Sequence, residues 1–396
     1  MSKIKHKRST KVRSGQGKTK RRKPHILHLH SSFNPGGKEV RSAQLMNAFG
    51  SKVEHTLVSA VPEQMEAKKL ILPQIKVNYQ PADFPSLQGK PKPRRLHKVA
   101  QALKPFDLIL TYNWGSMDAV MGHTLFAEVL GLPPLIHHED GFNEDEAVKL
   151  KTKRNWFRRI ALGKSSGLVV PSETLEEIAL TTWMQPMGRV KRFPNGIKTG
   201  LYAKKPKSDA LPVIKRDGEH WVGTLAGLRA VKQLPSLVRA FAALPNNWQL
   251  VIVGDGPEKN AIRAEAERLE ISHRVHLPGF VAKPEKYVGL FDVFALSSKS
   301  EQFPISMIEA MAAGVPVASP AVGDVASMIA DENAPFITPA NDESALSDAL
   351  IQLSENPELR AKIGAANQAK ACAEFDEAVM IDRYKRLYAS AMEREI

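Results

Sequence analysis

Four groups of residues have types and spacings that could do chemistry. Glu301 and Glu309 stand eight residues apart in SSKSEQFPISMIEAMAAGVPVAS, residues 297–319, the first in a polar loop and the second inside a short apolar helix. Were every step helical, the two carboxylates would be separated by roughly 12 Å along the axis. Glu309 lies among Ile305, Ile308, Met311, Ala312 and Ala313. Its carboxylate is therefore expected to be partly buried, which is costly without hydrogen-bond donors such as ribose hydroxyls. An acid at Glu301, just ahead of a helix, is favourable by itself. Arg229 and Lys232, three residues apart in GLRAVKQ, can converge on one anionic group if the segment turns helically. Cations are unfavourable at a helix start, so an anion there would relieve a conflict. Gly36 and Gly37 in SSFNPGGKE let the backbone approach a ligand ahead of a helix that favours an anion, although a glycine pair is also an ordinary turn. His137, His138 and Glu139 fall at a strand end, where a structural and a functional role are both open.

An alternating chain has to position these groups. HILHLH, HTLVSAV, IKVNYQ, DLILTYN, PLIHHEDG and SGLVVPSE read as strands, with helices over 40–49, 117–131 and 174–183. Such alternation predicts a mainly parallel sheet with helices on both faces and ligands beyond the carboxyl ends of the strands. The Pro-, Gly- and Lys-rich stretch from FPNGI to KRDG reads as a linker, with a boundary near residue 205. A second series follows, with HWVGTLAGL, WQLVIVGDG, RVHLPGF, FDVFALSS and VPVASP as strands, and three helices end the chain. The expected division is a basic tail over 1–23, two doubly wound domains over 24–205 and 206–375, and a C-terminal helix over 376–396 that packs back toward the first domain. Two such domains create a cleft suited to a long polar ligand.

At 396 residues the chain exceeds the size of one hydrophobic core, and no apolar run approaches the eighteen or so residues of a membrane span. A basic start without an apolar core behind it, and a single cysteine, Cys372, fit a cytoplasmic protein without disulfides or a multi-cysteine zinc site. The net charge of +14 is concentrated: residues 1–23 hold eleven Lys or Arg and no acid. This tail is expected to be disordered. Its Gly17, Lys18 and Thr19 imitate the end of a P-loop, but Val12 stands where the first glycine is needed and no strand precedes it. Residues 149–164, KLKTKRNWFRRIALGK, hold seven basic residues around Trp156, Phe157, Ile160 and Leu162. The tail and this segment are candidates for contact with an anionic membrane surface, against a solvated outer face as the plainer reading; nucleic acid is not the expected partner.

The motifs FNPGGKEV, HHEDG, VVPSE, FPNGI, VGTLAGLRAVK, IVGDGPE and EQFPISMIEAMAAGVPVAS, in that order, resemble those of glycosyltransferase family 4. The resemblance covers nearly everything from Pro24 to the C-terminus. It implies the α/β GT-B fold, two Rossmann-like domains facing a cleft, and a retaining transfer of sugar from a nucleotide diphosphate sugar to a glycan or lipid-linked acceptor, as in polysaccharide or glycolipid biosynthesis. It also implies that no cofactor or metal is required; the expectation of a cytoplasmic enzyme peripheral at the inner face of the membrane comes instead from the basic tail and the Trp156 helix. By the same resemblance, Glu309 would bind the ribose and Arg229 with Lys232 the diphosphate. Glu301 would touch the transferred sugar, Gly36 and Gly37 would close on the donor and acceptor side, and His137, or His138 with the alignment moved by one, would approach the reacting face. Gln302 and Pro304 depart from the glycines common at those positions. Two alternatives remain: a nucleotide-sugar epimerase of the same architecture, and a non-enzymatic anion or nucleic-acid binder driven by the tail.

Overall fold

The computed structural model describes residues 22–142, 146 and 150–396. Most of the basic tail, and Lys149 of the second basic segment, lie outside the described residues. The first half builds a seven-stranded parallel sheet in the order β3-β2-β1-β4-β5-β6-β7. Its strands are β1 (His25–His30), β2 (Glu54–Ser59), β3 (Val77–Tyr79), β4 (Leu108–Tyr112), β5 (Leu135–His138), β6 (Gly167–Val170) and β7 (Val190–Arg192). The helices between them are α1 (Gly37–Phe49), α2 (Pro93–Leu103), α3 (Met117–Leu130), α4 (Thr152–Ala161) and α5 (Glu173–Glu177). The helix expected over 174–183 is α-helical only as far as Glu177 and continues as a π-helical turn over Ile178–Thr182.

The second half builds a six-stranded parallel sheet in the order β10-β9-β8-β11-β12-β13. It comprises β8 (His220–Leu225), β9 (Trp248–Val253), β10 (Val275–Gly279), β11 (Val293–Ala295), β12 (Val317–Pro320) and β13 (Ile337–Thr338). Its helices are α6 (Leu234–Ala242), α7 (Lys259–Arg268), α8 (Ile305–Ala312), α9 (Val325–Met328), α10 (Glu343–Glu355) and α11 (Pro357–Glu374). Strands such as LILTY and WQLVIV are mostly apolar along their length because parallel sheets are covered on both faces. In this sheet Leu237, Phe241, Ile262 and Leu350 pack on one side, and Met307, Ile308 and Met311 on the other.

The last helix, α12 (Glu377–Ala391), returns to the first sheet. Met380, Tyr384 and Tyr388 pack against Ile26, Leu110, Ile136 and Val169. The chain thus crosses between the halves twice, and the crossings are stitched side by side. The Ile197 N–H donates to the Phe375 carbonyl at 2.9 Å, and the Glu377 N–H to the Ile197 carbonyl at 2.7 Å. The Thr199 hydroxyl adds a 2.6 Å bond to Asp376 Oδ2. Gly196 makes the approach possible: a Cβ there would stand 2.9 Å from the Asp376 carbonyl oxygen and 3.0 Å from Met380 Cβ. Gly196→Ala is expected to destabilise the protein by roughly 1–3 kcal/mol through overpacking. Chemical denaturation checks this, and a midpoint equal to wild type would remove the steric argument.

Candidate active site

Elements of both halves line a cavity of about 370 Å³. Gly37, Arg41 and Gln44 face it from α1, Asn195 to Lys198 and Tyr202 from the first crossing, and Ile305 and Glu309 from α8, with Pro284 and Glu285 beside them. The starts of α1 and α8 are close: a Cβ on Gly37 would stand 3.7 Å from Ile305 Cδ1. Gly36, extended at φ −164°, precedes the first turn of α1. Free N–H groups at a helix start favour an anion.

Glu309 faces the cavity from α8 with its carboxyl largely desolvated. Burial pushes its carboxyl up to about 7, against the restraining hydrogen bond from Tyr202, and the nearby Glu285 adds to the rise. The Tyr202 hydroxyl donates to Glu309 Oε1 at 3.1 Å. Tyr202 belongs to a stretch that reads in sequence as linker, yet it is buried; no local pattern signals that role.

Glu301 and Lys232 meet each other. Lys232 Nζ lies 2.5 Å from Glu301 Oε1, and the Ser298 hydroxyl donates to the same oxygen at 2.6 Å. The two loops are also joined through their main chains, Lys299 N–H to the Val231 carbonyl and Ser297 hydroxyl to the Lys232 carbonyl, both 2.8 Å. Arg229 is exposed, and its guanidinium has no partner among the described residues. The residue pair read as converging on one anion is therefore divided into a cation held by a carboxylate and a free one. The GDG turn supports this loop from behind. Gly254, at φ +146°, lies so close that a Cβ would come within 1.8 Å of the Ala226 carbonyl oxygen.

The structure does not bring His137 to the cavity. It is fully buried, with Nδ1 2.8 Å from the Thr111 hydroxyl and Nε2 3.7 Å from Glu139 Oε2. Glu139 in turn accepts from Arg158 Nε at 3.2 Å. His138 points to the opposite face and is also fully buried. Its Nδ1 donates to the Thr111 carbonyl at 3.1 Å, so its Nε2 accepts from the Tyr388 hydroxyl at 2.8 Å. Burial, reinforced by Arg41, lowers its pKa to about 3 and keeps it neutral.

The residue that does tie this strand end to the cavity is Asp140. Burial would raise its carboxyl, but Arg41 overrides that and holds it below its ordinary value. Arg41 grips Asp140 with both terminal nitrogens and donates to Asn195 Oδ1 at 2.8 Å. The sequence reading missed this network because its members are scattered over three motifs, KEV-R, HHEDG and FPNGI, with no spacing rule to join them.

Residues 212–370 match the family described as Glycosyl transferases group 1. The chain is 28% identical over 166 residues to N-acetyl-alpha-D-glucosaminyl L-malate synthase of Bacillus anthracis, covering 41% of this chain and 44% of that relative. It is 33% identical over 225 residues to phosphatidyl-myo-inositol mannosyltransferase of Mycobacterium leprae, covering 54% and 57% respectively. The chain thus spans about half the length of these curated relatives. In three dimensions it resembles Anabaena HepE, solved in complex with UDP, with a TM-score of 0.75 and 21% identity over 92% of this chain and 100% of that one. Two Rossmann-like parallel sheets and the likeness to HepE give the chain the GT-B fold, and residues 212–370 carry its similarity to the group 1 glycosyl transferases.

The raised Glu309 carboxyl has a consequence for stability. A group whose pKa is raised from 4.5 to about 7 on folding contributes stability that is complete below pH 4.5 and lost as pH rises through 7. Glu309→Gln is therefore expected to raise Tm at pH 8, by the equivalent of at most about 3 kcal/mol, and to change it little near pH 5. Thermal melts at the two pH values check this; an equal shift at both would show that ionisation is not the cause.

Proposed function

We propose that this protein is a retaining glycosyltransferase that moves a hexose-type sugar from a nucleotide diphosphate sugar to a glycan or lipid-linked acceptor in cell-surface polysaccharide or glycolipid synthesis. The observation that carries the reading is Glu309: a carboxylate facing a cavity between two domains, destabilised by burial, with the Tyr202 hydroxyl as its hydrogen-bond donor. The two hydroxyls of a ribose supply the donors such a carboxylate lacks. HepE, similar in fold, is a protein solved with UDP bound, which supports a nucleotide ligand.

In this reading the diphosphate lies toward Arg229 and Lys232, with Gly36 and Gly37 at the start of α1 closing on it. Arg229, without a partner among the described residues, meets the charge that develops as the bond between the sugar anomeric carbon and phosphate oxygen breaks. The acceptor hydroxyl oxygen forms its bond to that carbon on the same face, and its proton passes to the departing phosphate. Lys232 is held by Glu301, so both reach the sugar-phosphate region as one unit. His137 orients the strand end from within the fold. Two side-chain cations then serve the diphosphate without a metal, and turnover in the presence of a chelator tests that point.

A thermal-shift screen with UDP-, GDP- and ADP-sugars is the first test, since a ligand of the native state raises Tm in proportion to its affinity. Arg229→Ala is expected to lower kcat by roughly two to three orders of magnitude; wild-type turnover would refute its role. Glu309→Ala is expected to weaken donor binding by roughly 1.5–3 kcal/mol, as when charge-assisted hydrogen bonds are lost. Unchanged affinity by calorimetry would count against the ribose contact.

The protein is also proposed to work as a cytoplasmic enzyme, peripheral at an anionic membrane face. Among the described residues no helix is long and apolar enough to cross a membrane. On α4, Lys153, Trp156 and Ile160 share one exposed face, with Trp156 57% and Ile160 55% exposed. The packed neighbour α3 adds exposed Leu125 and Val129. Apolar side chains among basic ones suit the interface of an anionic bilayer. Sedimentation with vesicles containing phosphatidylglycerol is expected to capture the protein, and Trp156→Ala with Ile160→Ala to reduce capture several-fold. Equal capture of the double variant would exclude this face.

A further inference from the structure

The halves touch at Gln302, directly after Glu301. Its main chain is clamped on one side by Gly323, at φ +56°, where a Cβ would come within 2.1 Å of the Glu301 carbonyl oxygen and 3.1 Å of that of Gln302. The Asp324 N–H donates to the Gln302 carbonyl at 3.3 Å. On the other side, Gln302 Cγ lies 3.4 Å from where a Cβ on Gly141 would be, in the loop after β5, with Gly141 at φ +137°. Neither glycine accepts a side chain without strain, so the contact depends on both. The Gln302 amide is thereby placed between the strand end of one domain and the α8 start of the other.

One end of that amide, Oε1, is buried and has no hydrogen-bond partner among the described residues. An unsatisfied buried amide group is costly, and native proteins leave few of them. Nearby polar groups are occupied: Glu301 Oε1 accepts from both Lys232 and Ser298. A ligand group entering beside Glu301 would supply the missing partner. A sugar hydroxyl fits because it both donates and accepts, and so satisfies whichever end of the amide is turned inward. A glutamine side chain also discriminates: a site built to hydrogen-bond a hydroxyl rejects an isomer that places that hydroxyl elsewhere.

We propose that Gln302 selects the transferred sugar by hydrogen bonding one of its ring hydroxyls through the side-chain amide. This rests on the donor reading above, and on Glu301 lying at the sugar end of the donor. It is a specificity-determining role for a side chain, separate from the roles of Glu301 and Glu309.

The test is calorimetry on the full chain, with UDP, GDP and ADP and with their glucose, galactose and mannose derivatives. Wild type is expected to bind one nucleotide and to rank its sugar derivatives. Gln302→Leu is expected to keep affinity for the bare nucleotide within about twofold while the spread among sugars falls at least tenfold. Gln302→Asn, which withdraws the amide by one methylene and keeps a polar side chain, is expected to do the same and covers the case in which the leucine variant does not fold. An unchanged ranking and spread in a folded variant overturns the selection role, as does a wild type that binds nucleotide without ranking the sugars. Absence of any nucleotide binding by wild type would instead overturn the donor reading itself.

Discussion

The halves of this molecule are held in position where the chain crosses twice between them and the crossings bond to each other, Ile197 against Phe375 and Glu377, over a glycine that leaves no room for a side chain. The site is built outward from that seam. Asn195, one residue before Gly196, receives Arg41. Tyr202, five residues after Ile197, reaches Glu309. The α12 helix that follows the second crossing delivers Tyr388 to His138. Because all three reach from the seam to a different wall of the cavity or to the strand behind it, a change in the crossing geometry would move several walls together.

Charge in the cleft is arranged at a cost to the free protein. Glu309 would be more stable neutral, and Arg229 gains nothing from a partner of its own. Such groups are poor choices for stability but suit a site completed by a ligand, since the ligand supplies the missing donors and counter-charge. Lys232 and Glu301 are different: they neutralise each other, so the loop that carries them is ordered before anything binds.

The histidines show how far local pattern can be followed. Successive strand residues point to opposite faces, so His137 and His138 could never both look the same way. Since the sheet is covered on both sides, each is buried, one against Thr111 and Glu139 and the other against Tyr388. A strand end rich in polar residues therefore looked like a site, while the residue connected to the cavity was Asp140, one position past Glu139, through Arg41. Similarly, β7 and β13, of three and two residues, are too short to show a period, and the turn of π-helix after α5 continues an apolar pattern that reads as α-helix.

From the sequence alone, the alternation of apolar strands with helices established two parallel sheets, and the motifs that hold Gly37 and Glu309 marked two segments that line the cavity. These are local properties: burial on both faces makes a strand mostly apolar along its length, and helix starts and turns demand particular residues within a few positions. Only the tertiary structure decided that Tyr202 would hold Glu309 across 107 residues, Arg41 would hold Asp140 across 99, and Gln302 would meet Gly141. Each of those contacts joins segments whose own conformations are satisfied without it. Their pairing comes from how separate elements are set against each other in three dimensions, and no periodicity in the chain encodes that placement.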